Sequence, residues 1–284
     1  MSRLSESRKG AHPMNDFETL AVTLEEGVAH IEFNRADRAN AFNRTMWQEL
    51  GAVMRAVDAA TGARVAVLSG RGRHFTAGID LTFLAELQGE LAPLGPGRRQ
   101  EQLLRNIREL QDAVSAIENC RKPVLAAIHG ACVGGGIDIT SACDMRYASA
   151  DATFAVKEID VAIVADLGTL QRLPRLIGEG PARELAMTGR QFNAAEAEKL
   201  RFINATLPDR DAVLAHTFEV ARSLAAKSPI ALRGTKETLN FSRDHSISEG
   251  LEFVAARNAA LLFAPDIAEA IAAHSERRVP RFDD

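Results

Sequence analysis

Three carboxylates in the middle of the chain stand out because of what surrounds them. Asp138 lies two residues past Gly134-Gly135-Gly136, Glu158 follows Phe154-Ala155-Val156-Lys157, and Asp166 ends the apolar run Val161-Ala162-Ile163-Val164-Ala165. Acids flanked by small and branched apolar residues are costly to bury ionised, so burial turns them toward holding and releasing protons. Each also has a plain structural explanation. Asp138 would complement a helix dipole, worth roughly 0.3–1 kcal/mol; Glu158 would pair with Lys157 or Arg172; Asp166 would cap a helix starting near Leu167. The glycines offer a second chemistry. Between an apolar strand and a helix, residues without side chains expose backbone N–H groups and let a ligand approach, although they also permit tight packing. Phe75-Thr76-Ala77-Gly78-Ile79-Asp80-Leu81 likewise follows a strand and opens a short helix with Asp80 as its cap. Two such turns side by side would each donate one N–H to a single carbonyl oxygen, and removing one such donor typically costs on the order of 3 kcal/mol of transition-state stabilisation. No Gly-Lys-Ser or Gly-Lys-Thr follows the glycines and their spacing does not match GxGxxG, which argues against a nucleotide phosphate.

The elements that must hold these residues are legible from periodicity. Thr19 to Leu24 and Val28 to Phe33 flank Glu25-Glu26-Gly27 and predict a hairpin. Met46, Leu50, Val53, Met54 and Val57 recur at helical spacing behind Asn43, a plausible N-cap. Val65 to Leu68 and Val124 to Ile128 read as continuously apolar strands separated by a helix through Leu103, Ile107, Leu110, Val114 and Ile117. Strand and helix in alternation imply an α/β core with parallel pairing and both sheet faces covered. From about Gly178 onward helical patterns dominate, and no Ser/Gly linker separates them from the strand half. The stretch Ala92 to Gly97 reads as a loop, a candidate for mobility near a ligand.

The 284 residues are 46% hydrophobic and 25% charged, enough for a substantial core and unlike a disordered chain. A formal charge of −4 gives no basic excess that would point to nucleic acid as a partner. The longest uncharged run, Pro123 to Ile137, has 15 residues broken by His129 and four glycines, too short to span a bilayer. Cys120, Cys132 and Cys143 form no CxxC pair and no clustered metal-ligand set, so neither a disulfide framework nor a metal site is expected, and a reducing compartment fits. Residues 1–16 read as a disordered leader without a secretory core, and Met14 is an alternative start. With Arg281-Phe282-Asp283-Asp284 in place of a Ser-Lys-Leu address, the expected location is cytoplasmic. His129 and Cys132 sit beside the glycines but read as a buried hydrogen-bonded histidine and a core cysteine. Asp144 with Arg146 reads as an ion pair, and Trp47 as core.

Taken together, Phe75 to Leu81, the Gly134-Gly135-Gly136 turn and Gly168-Thr169-Leu170-Gln171-Arg172-Leu173-Pro174 resemble the crotonase (enoyl-CoA hydratase/isomerase) superfamily, from about Phe17 to the C-terminal helices. That resemblance implies a spiral of ββα repeats over residues 17–205 and a helical C-terminal region, 206–284, that builds homotrimers or dimers of trimers. It also implies an acyl-CoA thioester substrate with no separate cofactor. By motif position the oxyanion donors are the N–H groups of Ile79 and Gly135. Ala77, Gly78, Asp80 and Leu81 lie on the same substrate-binding segment, and Arg38 and Ala39, in Asp37-Arg38-Ala39-Asn40-Ala41, lie beside the CoA nucleotide.

The carboxylates choose the branch. Gly134-Gly135-Gly136-Ile137-Asp138, Val156-Lys157-Glu158-Ile159-Asp160-Val161 and Ala165-Asp166-Leu167-Gly168 resemble the Δ3,5-Δ2,4-dienoyl-CoA isomerases, as does Phe241-Ser242-Arg243-Asp244-His245-Ser246. An ordinary enoyl-CoA hydratase would carry Glu at positions 138 and 158 and no acid at 166. A 3,5-dienoyl thioester is acidic at C2, and reprotonation at C6 yields the 2,4-diene. C2 and C6 are too far apart for one carboxylate, so two spaced acids are wanted, with Glu158 at C2 and Asp166 at C6, or the reverse, and Asp138 tuning them. Two other readings stay open at this level: hydration or another crotonase chemistry, and a non-catalytic acyl-CoA- or RNA-binding relative.

Overall fold

The computed structural model describes residues 17–284; the expected leader lies outside them. Nine strands and eleven α-helices are described: β1 Leu20–Glu25, β2 Val28–Phe33, α1 Arg44–Ala59, β3 Val65–Gly70, α2 Leu81–Leu91, α3 Pro96–Asn119, β4 Val124–Ile128, β5 Ala131–Val133, α4 Gly135–Ser141, β6 Met145–Ser149, β7 Thr153–Ala155, α5 Thr169–Ile177, α6 Glu179–Thr188, β8 Phe192–Asn193, α7 Ala194–Lys199, β9 Ala205–Leu207, α8 Arg210–Ala225, α9 Pro229–Arg243, α10 Ile247–Leu261 and α11 Pro265–Glu276.

Six strands form one sheet in the order β1-β2-β3-β4-β6-β9, and β5, β7 and β8 form a second. The β1–β2 hairpin is antiparallel, and every later pairing in the large sheet is parallel. Each turn of chain gives one strand to the large sheet, a short segment to the second layer, and then a helix. The succession β4-β5-α4 is the clearest case. Phe42 bridges Ile79, and Thr76 bridges Cys132 of β5, so the earlier turns reach the second layer through single extended residues. This is the ββα spiral.

Alternation along the strands sorts the core. Val65, Val67, Leu125 and Ala127 face α8, where they meet Val213, Ala221 and Ala225. Ala66, Leu68, Ala126 and Ile128 point the other way, into the larger core with Phe33, Met46, Leu50 and Met54 of the hairpin and α1. Asn43 caps α1, its side chain accepting from the Met46 N–H at 3.0 Å. Trp47 is core, as its place on the apolar face predicts.

The stretch Ala92 to Gly97 is shorter as a loop than expected. Pro96 begins α3, where its missing N–H costs nothing, and Arg99 folds back to donate to the carbonyls of Leu91, Ala92 and Leu94. The α2–α3 connection is therefore a tied corner.

Candidate active site

The two glycine-bearing turns meet. Gly78 has φ +85°, and a Cβ on it would stand 2.7 Å from the Val133 carbonyl oxygen and 3.4 Å from the Gly135 nitrogen, so only glycine lets the strands approach this closely. Thr76 stitches the approach: its N–H donates to Ala131 O at 3.0 Å and its carbonyl accepts from Val133 N–H at 3.3 Å. Its hydroxyl donates to Asn40 O and accepts from the Gly78 N–H. Phe42 N–H donates to Gly78 O and Asp80 N–H donates to Phe42 O, a pattern that straddles Ile79 and leaves its N–H outside the pairing. Gly135 opens α4, so its N–H has no acceptor within the helix. Both expected oxyanion donors thus come from abutting turns. The three consecutive glycines have separate reasons. Gly134 takes φ +53°, a Cβ on Gly135 would press the Trp47 ring at 3.1 Å, and one on Gly136 would meet Thr76 Cγ2 at 2.7 Å.

Asp138, in the first turn of α4, is 1% exposed. The Thr169 N–H and hydroxyl both donate to its Oδ1 at 2.7 Å. Burial pushes its carboxyl up to about 7, helped by the charges of Glu158 and Asp166 and opposed by the Thr169 bonds. Burial and the Asp166 charge also raise Glu158, and burial raises Asp166. The plain explanations fall away for two of the three. Lys157 pairs with Asp160, Arg172 pairs with Glu118, and α5 begins at Gly168–Thr169 without a side-chain cap, so Glu158 is not ion-paired and Asp166 is not a cap. Glu158 Oε2 is buried without a hydrogen-bond partner among the described residues. Its Oε1 lies against the first turn of the glycine run, 3.5 Å from where a Gly134 Cβ would stand, beside the Gly78 Cα.

Glu158 and Asp166 line two adjoining cavities rather than one acyl pocket, along which two spaced acids are expected. Glu158 lines an apolar cavity of about 730 Å³ walled by Ile159, Ile163, Leu170, Leu173 and Ala186. Asp166 lines a polar cavity of about 540 Å³ with Gln111, Glu118, Arg172, Arg243 and Asp244. The cause is local. The Gln111 side chain and the Arg172 guanidinium hold the Asp166 and Leu167 carbonyls, which turns this segment toward α3. Gln171 and Arg175 face both cavities, so the two adjoin across the start of α5.

Asp80 caps α2, accepting from the Thr82 N–H at 3.0 Å, and pairs with Arg35 at 3.2 Å. Ala77 and Leu81 are exposed at the turn's surface, and Arg38 is exposed beside half-buried Ala39, whose carbonyl accepts from the Ala77 N–H. His129 is buried and its Nε2 lies 3.0 Å from Gly72 O; the Cys132 thiol is fully buried and pushed well up, unfit as a nucleophile. Asp144 and Arg146 do not pair. Asp144 binds Lys236 at 2.7 Å, while Arg146 donates to the Thr140, Cys143 and Phe202 carbonyls, satisfying acceptors at the end of α4. Asn40 and Thr169 received no role from sequence. Asn40 is fully buried, accepts from Arg35 N–H and donates to Arg71 O and His74 O; Thr169 holds Asp138. A buried Asn shows no periodicity, and Thr169 was visible only as a member of a longer motif.

The enoyl-CoA hydratase/isomerase family model matches residues 23–284. The chain is 42% identical over 273 residues to the peroxisomal Delta(3,5)-Delta(2,4)-dienoyl-CoA isomerase of Arabidopsis thaliana, covering 95% of this chain and 98% of that protein. It is 40% identical to the mitochondrial Delta(3,5)-Delta(2,4)-dienoyl-CoA isomerase of Homo sapiens, covering 95% and 83%. The crystal structure of an enoyl-CoA hydratase from Bacillus anthracis superposes with a TM-score of 0.84 at 29% identity, covering 94% of this chain and 99% of the other.

Proposed function

The chain belongs to the enoyl-CoA hydratase/isomerase family, and from that premise we propose that it isomerises 3,5-dienoyl-CoA to 2,4-dienoyl-CoA in the β-oxidation of unsaturated fatty acids. One observation carries the reading: Glu158 lies against the oxyanion turns, while Asp166, close enough for its charge to raise Glu158, lines the cavity that adjoins the Glu158 cavity at the start of α5. C2 is bonded to the thioester carbonyl carbon, so the acid beside the carbonyl's N–H donors is the base for C2. The more distant acid then serves C6.

In this scheme the thioester oxygen accepts from the Ile79 and Gly135 N–H groups. Glu158 takes the C2 proton, and the electrons of that C–H bond spread through both double bonds onto the oxygen. Asp166 gives its proton at C6, the double bonds come to rest at C2–C3 and C4–C5, and proton exchange between the acids resets the site. Each positioned transfer contributes roughly 10²–10⁴ in rate, and each held N–H on the order of 3 kcal/mol. The raised carboxyls fit this use, since Asp166 must start protonated. The diene lies across the junction where Gln171 and Arg175 face both cavities, with the CoA nucleotide beside Arg38 and Ala39. Protons and electrons balance within the substrate and two side chains, so no cofactor is required.

A homotrimer, or a pair of them, is the assembly we assign, supported by apolar side chains left open on and between α10 and α11, among them Ile247 at 84% and Phe263 at 93% exposed. Three free buried thiols fit a reducing compartment, and we take the cytoplasm as that compartment. No described helix is long and apolar enough to cross a membrane.

Asp166→Asn is the test. Purified protein assayed on a 3,5-dienoyl-CoA should show growth of conjugated-dienoyl absorbance, and the variant should lose at least a hundredfold of it while binding CoA ester at parental affinity. Parental turnover by the variant, or a parent that hydrates a 2-enoyl-CoA and leaves the diene untouched, overturns the assignment.

A further inference from the structure

The cavity that holds Asp166 contains three guanidiniums, yet none of them pairs with it. Arg172 donates to Glu118 through Nε at 3.1 Å and Nη2 at 2.9 Å. Arg243, at the end of α9, binds the other Glu118 oxygen. Arg175 pairs with Asp244 at 2.7 Å and donates to Arg243 O at 2.8 Å. Burial works to raise the Glu118 carboxyl, but the hydrogen bonds and charges of Arg172 and Arg243 overcome it and hold it below its ordinary value. Asp138 and Glu158, both acids, also lie close enough to feel the Asp166 charge.

We propose that Glu118 and Asp244 are positioning residues for the isomerisation: by engaging Arg172, Arg243 and Arg175, they keep cations off Asp166 so that it retains a proton to deliver. An aspartate beside a free guanidinium ionises one to three pH units lower than its ordinary value. Were one of these guanidiniums released to pair with it, Asp166 would ionise and have nothing to give at C6. The same bridges reach from α3 through α5 to the turn after α9, so the C-terminal helices take part in setting the protonation of an active-site acid. The inference rests on reading Asp166 as the C6 acid.

The test separates the two. Infrared titration of the substrate-free protein follows the protonated-carboxyl band that Asp166→Asn removes. In Glu118→Gln and in Asp244→Asn the Asp166 midpoint should fall by about one pH unit or more. Since the acid must be protonated, the alkaline limb of kcat should move down with it, about tenfold loss at neutral pH for each unit, with KM little changed. Glu118→Gln combined with Arg243→Gln removes one released cation and should recover part of both shifts. If Glu118→Gln does not fold, Asp244→Asn, altered at a half-exposed side chain, carries the test. A band that titrates at the parental pH in the folded variants overturns the proposal, whatever turnover does. A band that shifts in a protein that never isomerises the diene leaves the sequestration standing and removes the functional reading.

Discussion

Asp138 works against the stability of the fold that holds it. Its carboxyl stands at about 7 against an ordinary 3.8, so the native state binds this proton more tightly than the unfolded chain does. The sign follows from linkage. Stability from this group is full below the unfolded value and declines as pH climbs from about 4 to about 7, by at most ~4 kcal/mol. Asp138→Asn keeps an oxygen to accept from Thr169 and carries no charge. Its melting temperature relative to the parent should therefore rise across that pH window while isomerase activity falls; a difference independent of pH in calorimetric scans from pH 4 to 8 contradicts this account.

At the scale of elements, the two turns whose N–H groups we assign to the thioester oxygen depend on a third segment that packs against them. Residues 35–41 lie across the Arg71 to Ala77 stretch, and Asn40 fastens them: its amide donates to the Arg71 and His74 carbonyls, its Oδ1 accepts from Arg35 N–H within the same segment, and its carbonyl receives the Thr76 hydroxyl. Removing its amide leaves the Arg35 N–H and the Arg71 and His74 carbonyls without these partners. Asn40→Ala should cost roughly 2–4 kcal/mol in urea unfolding, on the basis of 1–3 kcal/mol for each group left unsatisfied. It should also raise KM for the CoA ester, because Ala77 and Ile79 lose the surface they rest on. A variant with parental stability and KM would mean that the segment is held by its backbone bonds alone.

The molecule as a whole leaves apolar surface that a lone chain has no use for. Ile247, Leu251, Phe263 and Ile271 are all more than half exposed on or beside α10 and α11, and α10 packs chiefly on α9. A second and third copy would cover them, at roughly 25 cal/mol for each Å² of apolar area removed from water. Leu251→Asp combined with Phe263→Asp should shift sedimentation from trimer or hexamer toward monomer, with circular dichroism unchanged. A parent that sediments as a monomer would refute the assembly.

Residue order alone determined what local chemistry dictates. The hairpin, the capped α1, the apolar parallel strands and the two glycine turns follow from periodicity and from backbone conformations that few residues tolerate. The three acids were conspicuous because charged residues in apolar runs demand a reason. Tertiary structure decided what depends on partners distant in the chain. Thr169 reaches Asp138 across 31 positions, Lys236 takes Asp144 from Arg146 across 92, and Gln111 holds the Asp166 carbonyl across 55. Such pairings carry no periodic signature, since they arise only when the spiral stacks one turn on another. For that reason the identity of the acids was legible in one dimension, while their division between two adjoining cavities was not.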